Sequence, residues 1–182
     1  MNDAKERLRK LIVSKAVETS EEGFTLASGL RSNLYIDLRK ITQDPLGINL
    51  IGNLVLNKIE EIAPITDAVG GLETGSIPIA TAVSLLSLKR NKPIAAFWVR
   101  KRQKDHGTQK KIEGNLLKGS SVVILEDTVT TGGSSLLAVE SVREFGAKVV
   151  HAVAVVDRGG SQAFLRSGVP FFAFFSEADI AN

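Results

Sequence analysis

Apolar residues recur along the 182-residue chain in two rhythms that take turns. Between residues 3 and 19, Leu8, Leu11, Ile12 and Val17 fall close to helical spacing and predict a helix. The stretch GFTLASGLRSNLYIDLRK (23–40) alternates instead and carries Gly and Ser-Asn turn signals, which predicts two short strands joined by a turn. Asp44-Pro45 then has the form of a helix start, Asp as N-cap and Pro in the first helical position. That helix runs to about Ile62 and is stopped by Pro64.

Strand and helix patterns alternate from there on. TDAVGGL (66–72) predicts a short buried strand, residues 76–89 a helix and PIAAFWVR (93–100) a strand. SVVILED (121–127) is a continuous apolar run, the mark of a strand covered on both faces. SSLLAVESVREFG (134–146) predicts a helix closed by Gly146. AKVVHAVAVVDR (147–158) predicts a strand, QAFLRSG (162–168) a short helix and VPFFAFF (169–175) a last strand. The order implies an α/β fold, a mostly parallel sheet flanked by helices. No repeat or linker interrupts residues 1–182, so one domain is expected. Ligands of such sheets sit beyond the C-terminal ends of the strands, which directs attention to the residues just after each strand.

Composition narrows the chemistry. There is no cysteine, which excludes disulfides, thiolate metal sites and a cysteine nucleophile and suits the cytoplasm. The N-terminus is charged and amphipathic, and the most apolar stretch, IPIATAVSLLSL (77–88), is too short to span a bilayer, so neither a secretion signal nor a membrane segment is expected. Net charge is +3, yet RKRQKDHGTQKK (100–111) holds six Lys or Arg against one Asp. A nucleic-acid-binding protein spreads basic residues along a face or helix. Their concentration in one segment without apolar periodicity predicts a loop that meets a localised anion.

The strongest chemical signal is VVILEDTVTTGGSS (122–135), an apolar strand that ends in Glu126 and Asp127 and leads through Thr128, Val129, Thr130, Thr131, Gly132, Gly133 and Ser134 into a helix. Paired glycines allow a tight turn, and N–H groups with threonine hydroxyls at a helix N-terminus wrap a phosphate. The acids cannot take phosphate but can accept hydrogen bonds from sugar hydroxyls or hold a metal through water. Together they describe a site for a phosphorylated ribose. Taken alone, the pattern is also that of a polar strand-to-helix turn, and the basic segment that of a solvated charge run. Neither a G-x-x-x-x-G-K-[ST] loop nor a strand followed by G-x-G-x-x-G is present.

The segment 122–135 resembles the PRPP motif of type I phosphoribosyltransferases, PRPP being 5-phosphoribosyl-1-pyrophosphate. Three further stretches are similar to those of the orotate phosphoribosyltransferase family: FTLASGLRSNLYID (24–37) to its N-terminal signature, R-K-x-x-K-D-H-G (100–107) to its mobile catalytic loop and G-x-x-x-G-S-I-P-I-A (71–80) to its pyrophosphate loop. Asp157-Arg158 resembles its base-recognition arginine. The resemblance implies the type I fold with a small N-terminal hood at about residues 1–40. It implies an activity that makes orotidine 5′-monophosphate and pyrophosphate from PRPP and orotate with Mg²⁺, the metal held mainly by PRPP and water. It also implies a cytoplasmic homodimer with shared active sites, and no nucleic-acid or membrane partner.

Carried over residue by residue, the resemblance gives Arg100, Lys101, Lys104 and His106 to the pyrophosphate and Glu126 and Asp127 to the ribose diol, with Lys101, Lys104, His106 and Asp127 as the catalytic set. Thr128 through Ser134 form the 5′-phosphate cradle, and Glu73, Thr74, Gly75 and Ser76 the pyrophosphate loop. Arg158 takes the orotate carboxylate with Thr130 nearby, and the backbone around Tyr35 and Ile36 walls the pyrimidine. Two departures matter. Ala27 stands where family members often have lysine, and the pyrophosphate loop lacks the lysine that some of them carry, which leaves more of the leaving-group charge to Arg100, Lys101 and Lys104.

These residue types suit displacement at an anomeric carbon. The sugar develops oxocarbenium character, and the growing charge on pyrophosphate calls for aimed cations. A loop made mobile by Gly107 closes over PRPP and keeps water out. Two alternatives compete: a purine phosphoribosyltransferase of the same fold, against which Arg158 argues, and a PRPP-sensing regulator that binds nucleic acid, against which the confined charge argues.

Overall fold

In the computed structural model, residues 2–25, 31–101 and 111–181 are described. Two stretches frame the N-terminal part. Helix α1 (Asn2–Lys15) leads into an antiparallel ribbon of β1 (Val17–Thr25) and β2 (Arg31–Ile36). A single turn, α2 (Arg39–Thr42), joins the ribbon to the long helix α3 (Pro45–Ile62). The main body then runs β3 (Ala68–Leu72), α4 (Ser76–Lys89), β4 (Ala95–Val99), β5 (Ile112–Gly114), β6 (Ser121–Val129), α5 (Gly133–Phe145), β7 (Lys148–Asp157), α6 (Ser161–Arg166), β8 (Phe171–Ser176) and α7 (Glu177–Ala181).

Six strands make one sheet in the order β5-β4-β3-β6-β7-β8, parallel throughout except for β5, which runs against β4. Period-two alternation explains its layers. Val123 and Leu125 of β6 with Val153 and Val155 of β7 join the core under α1, α3 and α4, while Val122, Ile124, Ala152 and Ala154 join the core under α5 and α6. Strand order reverses between β3 and β6, the neighbours that flank the sheet's switch point. A crevice opens there because the loops after the two strands leave to opposite sides.

Several expectations hold closely. Asp44 caps α3 by accepting a hydrogen bond from the Gly47 N–H at 2.9 Å, and Pro45 is its first residue. Helix α5 closes on Gly146 in the left-handed conformation. Others need correction. The first helix ends at Lys15, and Val17 opens a strand paired with Ile36, because the ribbon's ladder satisfies its backbone where the helical pattern had run out. Strand β6 continues two residues beyond Asp127, to Val129, since β7 pairs alongside as far as Asp157. Elements α2, β5 and α7, of three to five residues each, are too short to carry a period. Leu8 and Ile12 of α1 and Ile36 of β2 are buried in the same core as α3 and Val155.

Candidate active site

Loops from both sides of the switch point form a cleft of about 220 Å³. Leu72, Glu73, Thr74 and Gly75 line it after β3; Glu126, Asp127 and Thr128 line it from β6; Ser134 enters from α5, Lys101 from the end of β4 and Arg39 from α2. Residues distant in sequence and anticipated for one ligand, Glu73 to Gly75, Lys101, Glu126 to Thr128 and Ser134, thus share a single wall.

The acids dominate its electrostatics. Glu126 is buried, and its Oε1 has no hydrogen-bond partner among the described residues. Burial pushes its carboxyl up to about 8, the neighbouring charge of Asp127 adds to the shift, and Ser135 and Lys101 pull it back. Asp127 is also raised by burial, against the Thr128 N–H that donates to its Oδ1 at 2.7 Å and the charge of Arg39. Gly75 packs against this carboxylate, and a Cβ there would lie 2.6 Å from Asp127 Oδ1. Only glycine lets the loop after β3 approach the acid so closely.

The raised Glu126 has a consequence for stability. Between the ordinary value of 4.5 and about 8 the folded protein keeps a proton that the unfolded chain has released, so stability falls as pH rises through that window. Glu126→Gln removes this slope. Its melting temperature relative to the parent is expected to climb between about pH 5 and about pH 8 by on the order of 5 °C. Thermal unfolding of both proteins across that range checks it, and parallel curves would refute it.

Beyond the acids the chain turns through Thr130 and Thr131, both exposed, to Gly132, which is left-handed at φ 80° and precedes α5 with no side chain capping the helix. A Cβ on Gly132 would sit 2.6 Å from that of Ala163. The first N–H groups of α5 are thereby left for an anion, beside the hydroxyls of Thr130, Thr131 and Ser134.

Other anticipated residues fall elsewhere. Val129 turns its side chain into the core, and its carbonyl accepts from the Arg158 N–H at 2.7 Å, so only its backbone borders the turn. Ser76 is buried, its hydroxyl donating to the Leu72 carbonyl at 2.9 Å. Arg100 pairs with Glu113 of β5 at 3.0 Å and does not line the cleft. Ala27, Lys104 and His106 lie outside the described residues. The Tyr35 ring lies tilted against that of Phe24, 5.5 Å away, on the ribbon, and Ile36 is buried. Arg158, at the end of β7, donates to the Leu34 carbonyl of β2 at 3.2 Å.

Arg39 went unnoticed in the sequence. Its guanidinium is clamped by both oxygens of Asp37, at 2.7 and 3.0 Å, and reaches the Tyr35 hydroxyl at 3.4 Å, linking the ribbon to the acid pair. The strand ahead of it belongs to the antiparallel ribbon and not to the six-stranded sheet, so its place after a strand carried no signal.

The chain resembles known proteins over most of its length. Residues 37–173 match the family model described as a phosphoribosyl transferase domain. The chain is 42% identical over 179 residues to an orotate phosphoribosyltransferase of Aquifex aeolicus, covering 97% of each. It is 41% identical over 183 residues to one from Rhodopseudomonas palustris, covering 97% of this chain and 95% of that one. The crystal structure of Mycobacterium tuberculosis orotate phosphoribosyltransferase in complex with PRPP superposes with a TM-score of 0.80 at 32% identity, covering 98% of this chain and 99% of that one.

Proposed function

The chain belongs to the orotate phosphoribosyltransferases of the phosphoribosyltransferase family, and on that premise we propose that the cleft at the switch point holds PRPP while the neighbouring end of β7 holds orotate. The reaction transfers 5-phosphoribosyl from PRPP to orotate and yields orotidine 5′-monophosphate and pyrophosphate, a step of pyrimidine biosynthesis.

One observation carries the assignment of roles: the adjacent acids Glu126 and Asp127 share a single cleft with Lys101, while the uncapped start of α5 follows in the next turn. In our reading Thr128 to Ser134 take the 5′-phosphate, with Val129 and Gly132 contributing backbone alone. Glu126 and Asp127 accept from the ribose hydroxyls; the unpartnered Oε1 of Glu126 suits a hydroxyl that arrives with the substrate. Lys101, with Lys104 and His106 of the basic segment, faces the departing pyrophosphate, together with the backbone of Glu73 to Gly75. Arg158 takes the carboxylate of orotate by the paired N–H geometry that arginine offers, beside Thr130 and the ribbon backbone at Tyr35 and Ile36.

Mg²⁺ fits this arrangement as a companion of PRPP. In this reading the two acids take hydroxyls, so the ion would be held by PRPP oxygens and water. When bound it offsets charge on the leaving pyrophosphate. We further propose one domain with a small hood at about residues 1–40, a cytoplasmic setting and a homodimer. No described helix is long and apolar enough to cross a membrane, and Leu85 and Leu88 of α4, 60% and 63% exposed, give a second copy an apolar face.

The test mixes protein, Mg²⁺, PRPP and one base at a time and follows ultraviolet absorbance. Consumption of orotate that requires Mg²⁺ is expected. Turnover of adenine or hypoxanthine in its place would overturn the assignment of the base subsite.

A further inference from the structure

The Arg158 side chain is 6% exposed and pairs at 2.7 Å with Glu177, the first residue of α7, whose side chain is 40% exposed. The same nitrogen, Nη2, also donates to the Leu34 carbonyl at 3.2 Å and the Ser32 hydroxyl at 3.4 Å. Nε lies on the same edge of the guanidinium as Nη2, and it is buried without an acceptor among the described residues. Glu177 therefore fills only half of an edge shaped for both oxygens of a carboxylate.

Unequal burial decides which partner can leave. A guanidinium this enclosed is costly to strip of its counter-charge. A carboxylate as open as that of Glu177 loses little on turning to water. A permanent brace would close the edge with both oxygens, whereas this contact leaves Nε unmet. A ligand carboxylate laid along the edge would satisfy Nε and Nη2 together and release Glu177 to solvent.

Resting on the assignment of Arg158 to the orotate carboxylate, we propose that Glu177 is a stand-in counter-ion that neutralises Arg158 while the base subsite is empty and yields to the carboxylate of the incoming base. Glu177 is then a specificity determinant, because a base without a carboxylate has nothing to exchange for it. It also sets the apparent affinity for orotate, since each binding event must displace it.

Steady-state kinetics on the full chain with Mg²⁺, PRPP and orotate test this with Glu177→Gln, Glu177→Asp, Arg158→Gln and Arg158→Lys, each checked for folding by thermal unfolding. Glu177→Gln is expected to lower the KM for orotate roughly threefold to tenfold and leave the KM for PRPP in place, with Glu177→Asp shifted the same way. Orotate should also raise the melting temperature of Glu177→Gln more than that of the parent. An unchanged or raised orotate KM in both Glu177 variants overturns the proposal, a rise marking Glu177 as a brace. The Arg158 variants tell that failure from a failure of its premise. If they fold and keep the parental orotate KM, the base subsite is misassigned. If they raise it while the Glu177 variants do not lower it, only the stand-in role falls.

Discussion

Replacing Asp127 with asparagine is expected to lower kcat/KM by about 10²-fold and to leave the protein at least as stable as before. The loss follows from what the carboxylate is placed to do. Two charge-assisted hydrogen bonds to ribose hydroxyls, at about 1.5 kcal/mol each, account for a factor of that size. An amide keeps one acceptor, able to retain the Thr128 N–H that Oδ1 now receives at 2.7 Å, but turns a donor toward the sugar. The gain in stability follows from the neighbourhood. Burial raises the carboxyls of both Glu126 and Asp127, and the charge of Asp127 further disfavours that of Glu126. Removing one charge relieves a cost that folding bears and catalysis requires. Steady-state kinetics with a melting curve check both halves. A folded Asp127→Asn protein of near-parental kcat/KM would end the ribose assignment.

Much of this site was legible because its chemistry is contiguous. Glu126 through Ser134 form one run, and a strand that carries acids near its end and leads through two glycines into a helix names its own geometry. The apolar runs at 66–72 and 121–127 likewise placed the sheet, and Asp44-Pro45 announced α3 one residue ahead of its start. What stayed hidden depends on contacts between distant residues. Arg39 is a lone charge in a single turn of helix, and its value comes from meeting a cleft built by β3 and β6. The pair of Arg158 with Glu177 spans two elements, one of them a five-residue helix without periodicity. The diversion of Arg100 to Glu113 needs the antiparallel strand β5, whose three residues carry no pattern. Short elements and single charges acquire meaning only from packing, and a one-dimensional pattern holds no record of it.

Lys101→Ala is expected to cost more, about 10²–10³ in kcat with the KM for orotate little changed, the typical loss on removing one group aimed at developing charge. Lys101 lies two residues beyond β4, and its N–H donates to Glu73 Oε1 at 2.9 Å, so the loop after β3 fixes where the lysine starts. Its charge already reaches the acid pair, since it lowers the proton affinity of Glu126. Arg39, the other described cation lining the cleft, is committed to both oxygens of Asp37, so it offers less uncompensated charge to the pyrophosphate. The loop after β3 offers none, because Glu73 stands there without a lysine beside it. Charge that builds on the leaving group in the transition state therefore falls to Lys101 more than to any other described side chain. A second readout comes from the same electrostatics. Without Lys101, Glu126 should hold its proton to higher pH, so the range over which PRPP binding strengthens on deprotonation moves upward. A folded Lys101→Ala enzyme that turned over at near the parental rate, with its pH profile unmoved, would mean that the cations serving the leaving group lie elsewhere and that the cleft at the switch point binds PRPP without driving its cleavage.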